Sequence, residues 1–232
     1  MRKYLIVNGD DFGASQGINR GIIEAHRQGI LTSTSLLVTM PWSEEAARLG
    51  RTVPALSVGL HVHFHSGGRE PTLDRPDADS WGVELHRQCC RFEDLMGRSP
   101  THLDSHYNVH RDPRLLPHFL GVARQYGVPL REHGPVRYLS KFYGQWGGQT
   151  HLEQISVDSL LHLLKTDIQE GITELSCHPG YVDPDFPSTY SIERETELQT
   201  LCAPSIRTAL AEQQIHLIAF RDLGSLAMGW PT

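Results

Sequence analysis

Short apolar segments recur along the chain at 4–8, 33–39, 56–64, 101–106, 128–132, 174–178 and 216–220, and stretches of helical periodicity separate them. The first helical stretch starts behind Ser15, an N-cap residue, carries Ile18, Ile22 and Ala25 on one stripe and stops at Gly29. Others lie at 42–49, 80–96, 113–126, 157–169 and 204–213, the last opened by Pro204. Strand alternating with helix implies a parallel sheet with helical crossovers, an α/β protein. A barrel and a doubly wound sheet both satisfy that pattern. The chain has no glycine-rich phosphate loop, because in Gly9-Asp10-Asp11-Phe12-Gly13 the acidic pair would repel a phosphate. That leans the expectation towards a barrel of about seven parallel strands. A length of 232 residues suits a single catalytic domain over 1–232. Three segments resist regular structure, 66–79, 134–149 and 179–191, and are expected to cover one mouth of the barrel. The second carries Tyr138, Phe142, Tyr143 and Trp146, which suit either loop packing or a platform for substrate.

The polar residues that stand out sit at strand ends. Asp10 and Asp11 follow the first strand, His61 and His63 lie in the third, and Asp104 and His106 close the fourth. Arg131 ends 128–132 and His178 ends 174–178. In a parallel sheet all C-terminal strand ends face one side, so these groups converge where active sites gather. A buried core does not tolerate so many polar groups unpaired, and a metal ion would satisfy them. Each has a plainer reading. An Asp-Asp pair after a strand also serves as turn and N-cap, and of His61, His63 and His65 on one strand face at least one is expected to be structural. His106 and His110 have the spacing of a helical metal pair, yet their strand-like lead-in and Pro113 favour a strand end followed by a loop.

Acidic residues outnumber basic ones by 27 to 21, a formal charge of −6, which argues against a nucleic-acid groove. No stretch approaches the ~20 apolar residues of a membrane span, and the apolar run before Asn8 falls short of the ~7–15 residues of a secretory signal. Cys89 and Cys90 are adjacent and would bridge only with strain, so reduced thiols in a cytoplasm are expected.

Taken together, several stretches resemble the YdjC-like carbohydrate deacetylases, which include chitooligosaccharide deacetylases and a branch associated with hopanoid biosynthesis. They are Asn8-Gly9-Asp10-Asp11-Phe12-Gly13, Gly29-Ile30-Leu31-Thr32-Ser33-Thr34-Ser35, Val58-Gly59-Leu60-His61, Asp104-Ser105-His106, Cys177-His178-Pro179-Gly180 and the tail from Arg194-Glu195 to Phe220-Arg221-Asp222-Leu223. The resemblance runs over essentially the whole chain. It implies a distorted (β/α) barrel of the polysaccharide-deacetylase kind and a metal-dependent hydrolase that removes an N-acetyl group from an amino sugar or its conjugate. Carried over by position, Asp11, His61 and His106 would be metal ligands, Asp10 the general base, His178 the general acid and Arg131 the arginine that holds the base. Zn²⁺ suits such a set first, with Mg²⁺, Co²⁺ or Ni²⁺ as alternatives. A homodimer is also implied.

The sequence departs from the family where Gly9 replaces a usual alanine, where His63 replaces an apolar residue, and where Asn108 replaces the middle histidine of a His-x-His-x-His run. His110 is a second-choice ligand. Rival readings are another metal-dependent hydrolase or isomerase on the same barrel and a non-catalytic carbohydrate-binding homologue. Glycosidase chemistry fits poorly, because neighbours such as Asp10 and Asp11 cannot easily flank one bond from opposite faces.

Overall fold

The structure is a computed structural model that describes residues 2–64, 78–184 and 186–227. In chain order the elements are β1 (Lys3–Phe12), α1 (Gln16–Arg27), β2 (Ser33–Leu36), α2 (Ser43–Thr52), β3 (Ser57–Val62), α3 (Ala78–Met96), β4 (Leu103–Ser105), α4 (Leu116–Tyr126), β5 (Val136–Leu139), β6 (Gln145–Trp146), β7 (Gln149–Thr150), α5 (Val157–Thr166), β8 (Gly171–Cys177), α6 (Ile192–Cys202), α7 (Pro204–Glu212), β9 (Ile215–Leu217) and α8 (Leu223–Ala227). Ser15 caps α1 as expected, its side chain accepting the Ile18 N–H, an arrangement worth ~1 kcal/mol.

The main sheet has seven strands in the order β4-β3-β2-β1-β8-β5, with β9 paired to the first residues of β1. All of its strand pairings are parallel. Beyond β4 the chain from Pro129 to Arg131 pairs with Leu103 and then leads into β5 on the far edge, so the sheet curls towards closure. This is the expected distorted (β/α) barrel. One strand differs from expectation. The segment 128–132 makes only an isolated bridge at Leu130, and the strand it was expected to supply is β5, inside the segment read as irregular. Pro129 and the left-handed Glu132 (φ 64°) limit 128–132 to that bridge. Of the other expected loops, 66–79 and His65 fall outside the described residues except for the start of α3, while 179–191 is irregular as expected.

Side-chain alternation divides the sheet into two chemistries. Leu5 and Val7 of β1 join the large core beneath the helices. Ile6 points the other way and joins Ile172 and Phe220 in a small second core, against which Tyr4, Val136, Ile218, Leu223 and Leu226 pack. Above that apolar floor the same face carries Asn8 and Asp10 from β1, Glu174 and Ser176 from β8, Ser35 from β2, His61 from β3 and Asp104 from β4, all buried. Apolar residues hold the helices, and polar ones fill the barrel's upper interior.

Candidate active site

Asp10 and Asp11 are consecutive, so a regular strand would point them to opposite faces. The β1–β2 register shifts between Gly9 and Phe12, and Asp11 adopts φ 70°. This irregularity turns both carboxylates to the same mouth, a common use of a bulge beside a functional site. Asp11 Oδ1 then lies 3.0 Å from His106 Nδ1 and 3.5 Å from His61 Nε2. Despite those distances it is buried without a hydrogen-bond partner among the described residues, because the angles do not suit one. A carboxylate oxygen that lies close to two imidazole nitrogens without hydrogen-bonding either suits a shared cation. Asp11, His61 and His106 offer one atom each within 4.8 Å of one another, so the residues fit a divalent metal.

Each ligand candidate has a support. Arg194 donates to the outer oxygen of Asp11 at 2.7 Å, leaving Oδ1 facing the histidines. His61 Nδ1 is 2.7 Å from Asp104 Oδ1, and the two residues are register partners on adjacent strands. Asp104 in turn accepts from Ser35 Oγ at 2.6 Å. This carboxylate–histidine pairing directs Nε2 of His61 towards Asp11. Burial alone would push His61 down, but Asp104 and Asp11 outweigh it and lift the imidazolium to about 10. The negative potential that favours a proton there equally favours a cation.

Arg131 grips Asp10 with two hydrogen bonds of 2.8 and 2.7 Å, and its guanidinium also meets Asp104 at 2.8 Å and Glu174 at 2.7 Å. Asn8 adds a further donor to Asp10 at 2.8 Å. Burial raises the Asp10 carboxyl, and Arg131 more than reverses this, holding it below the usual carboxylate range. His178 lies one residue beyond β8, with Nε2 3.9 Å from Asp10 Oδ2. Burial pushes His178 down to about 4, so it rests as neutral imidazole. Asp10, Asp11, His61, His106, His178 and Arg194 line one pocket of about 550 Å³, whose lining also includes Tyr107, Tyr143, Phe186 and Met40.

All six residues singled out from the sequence thus surround this pocket or stand directly behind it. His110 does not: its ring is fully buried between Ser105 Oγ at 2.7 Å and Glu132 at 3.3 Å. Asn108 and Tyr107 both adopt left-handed backbone (φ 51° and 56°) as the chain turns out of β4, and both line the pocket. Asn8, Glu174, Arg194, Glu197 and Tyr190 were not singled out. Asn8 and Glu174 left a signal, as polar residues inside otherwise apolar strands. The others lie on or before α6, whose buried face includes Glu193, Arg194, Glu197 and Thr200 and so lacks an apolar stripe to mark it as a helix.

Solved carbohydrate esterases and deacetylases share this fold. A family 4 carbohydrate esterase from Streptomyces lividans, solved in complex with acetate, superposes with a TM-score of 0.57 over 93% of this chain and 91% of that one, at 16% identity. The chain itself belongs to the YdjC-like protein family, whose model matches residues 4–212. It is 35% identical to a chitooligosaccharide deacetylase of Serratia marcescens, over 96% of this chain and 100% of that protein. A proposed cellobiose-phosphate cleavage protein from Enterococcus faecalis V583 matches with a TM-score of 0.83 at 29% identity, over 96% of this chain and 99% of that one.

Proposed function

We propose that this protein is a divalent-metal-dependent hydrolase that removes the acetyl group from an N-acetylated amino sugar or amino-sugar conjugate. The observation that carries the reading is the unsatisfied Asp11 Oδ1 between His61 and His106, set beside an aspartate clamped by Arg131 and a histidine facing it. The name of the Serratia relative supports the substrate class.

Asp11, His61 and His106 would hold the ion, Zn²⁺ first and Mg²⁺, Co²⁺ or Ni²⁺ as alternatives. When bound it supplies Lewis acidity, which makes water easier to deprotonate and a carbonyl easier to attack. Asp10 is ionised at neutral pH, and Arg131 fixes its orientation, so it accepts the proton of the attacking water. His178 returns a proton to the departing amine, which leaves poorly without one. Because His178 rests neutral, it acquires that proton during turnover. The aromatic residues Tyr107, Tyr143 and Phe186 in the pocket lining suit contact with a sugar. A single catalytic domain in the cytoplasm accords with this reading. No helix among the described residues is long and apolar enough to cross a membrane.

The test is metal-dependent release of free amine and acetate from N-acetylglucosamine and its oligomers, with and without a chelator. Asp10→Asn is expected to lower turnover on the order of 10²–10⁴-fold while the protein still binds metal. Near-normal turnover in that variant would remove Asp10 as the base.

A further inference from the structure

We propose that Asn108 is a specificity-determining residue: its carboxamide, set in the pocket wall by the bend after β4, takes a hydrogen bond from an N–H or O–H group of the sugar. This role rests on the deacetylase reading above, which supplies the sugar.

The chain leaves β4 at His106 and bends at once through two consecutive left-handed residues, Tyr107 (φ 56°, ψ 17°) and Asn108 (φ 51°, ψ 37°). That conformation is unfavourable for a residue with a Cβ, and a bulky side chain such as that of Tyr107 rarely adopts it. Backbone held this way gathers at functional sites. Asparagine serves in such bends chiefly because its side chain bonds the backbone nearby. Here another residue does that work. The Ser105 hydroxyl accepts the backbone N–H of His110 at 3.0 Å and meets His110 Nδ1 at 2.7 Å, which closes the bend across its base. A further turn bond runs from the Asp112 N–H to the Val109 carbonyl at 3.0 Å.

The Asn108 side chain stands outside this network. Its Oδ1 is buried with no hydrogen-bond partner among the described residues, and the residue lines the pocket. Asn19 and Gln88, both fully buried, show the usual pattern instead. Asn19 accepts the Gly13 N–H at 2.7 Å and donates to the Trp42 carbonyl at 3.2 Å. Gln88 accepts the His63 N–H at 3.1 Å and donates to the His63 carbonyl at 2.8 Å. A buried acceptor left unpaired is costly, and a donor arriving in the pocket removes that cost. Asn108 shares the pocket with Asp10, His106 and His178, so a sugar held there for reaction meets this wall. Beside it the Tyr107 ring, 61% exposed and 4.1 Å from the His106 ring, offers an apolar face. An acyl compound with neither N–H nor O–H leaves the carboxamide unpaired, and a site built on such a bond discriminates against it.

The experiment uses Asn108→Gly, because glycine adopts φ 51° without strain and only the carboxamide is lost. If Asn108 served the bend alone, this variant would behave as wild type. Both proteins carry Asp10→Asn, which keeps the ligand intact, and are loaded with Zn²⁺. Binding of two sugars, the dimer of N-acetylglucosamine and the dimer of glucosamine, is followed by NMR titration. Asn108→Gly is expected to raise the Kd of the acetylated dimer ~10-fold, with the melting temperature and the affinity for Zn²⁺ unchanged. A loss shared by the glucosamine dimer assigns the partner to a sugar hydroxyl, and a loss confined to the acetylated dimer assigns it to the amide N–H. Equal affinity in the two proteins, no binding by either, or a loss that follows weakened Zn²⁺ binding would overturn the proposal. A wild type that binds the acetylated dimer but never releases amine from it would overturn the deacetylase reading itself, a separate failure.

Discussion

Asp104 shows how little a residue's sequence neighbourhood says about its work. It lies in a strand near the ligand candidates and meets His61 through one oxygen, while Arg131 and Ser35 hold the other. Asp104→Asn would keep the shape and remove the charge that orients His61. Divalent-metal affinity, followed by calorimetric titration, is expected to fall ~10–100-fold, against no change if Asp104 merely fills space. His102 is a buried histidine with a structural task. It stacks on Phe220 at 3.8 Å and bonds Ser35 Oγ at 3.0 Å, and burial pushes it down to about 4. A base depressed in the fold favours folding above its ordinary value near 6.5 and loses that contribution as pH falls towards 4. Between pH 7 and 4.5, wild type should therefore lose on the order of 1–3 kcal/mol more stability than His102→Gln, read from urea midpoints at the two pH values.

At the scale of elements, close backbone approaches decide where the candidate site residues stand. Helix α1 presents Gly17 and Gly21, one turn apart, to the chain that follows β8. A Cβ at Gly21 would sit 2.5 Å from Gly180 Cα, and one at Gly17 would sit 2.6 Å from the Tyr181 carbonyl. His178-Pro179-Gly180 is thus seated directly against the helix. Gly21→Ala has no flexible side chain to displace, so the loop itself must move. A loss of ~1–3 kcal/mol and a lower kcat are expected together, and wild-type melting and turnover in this variant would count against the seating role. The β1 irregularity acts similarly, since it brings Asp10 and Asp11 to one mouth. Neither device has a signature in hydrophobic pattern. Pattern did locate β1, β2, β3, β4, β8 and β9 within a few residues, because their buried faces demand apolar runs. It missed α6, whose buried face mixes Glu193, Arg194, Glu197 and Thr200 with only Leu198 and Leu201, and it misplaced β5 in favour of 128–132, where apolar residues pack without forming a ladder.

Over the whole molecule the parallel sheet gathers ligand candidates from β1, β3 and the end of β4 at one mouth, so binding a cation there ties distant parts of the chain together. Zn²⁺ at ~100 times its Kd should add ~2.7 kcal/mol and raise Tm by about 5–10 °C, an effect that a chelator reverses and Asp11→Ala abolishes. A melting curve indifferent to divalent ions would contradict the metal site. Local order along the chain was enough to indicate a parallel barrel and to mark Asp10, Asp11, His61, His63, Asp104, His106, Arg131 and His178 as polar residues on or at the ends of strands, because apolar periodicity marks the strands and such residues break it; the narrower choice among them came from the family resemblance. Tertiary structure alone decides which of them meet, how Asp104, Glu174, Arg194 and Glu197 balance their charges, and why His110 takes no part. Those outcomes depend on distances of 3–4 Å between residues up to 183 positions apart in sequence. Hydrophobic pattern carries no information on that scale, since electrostatic pairing depends on the folded geometry and not on spacing along the chain.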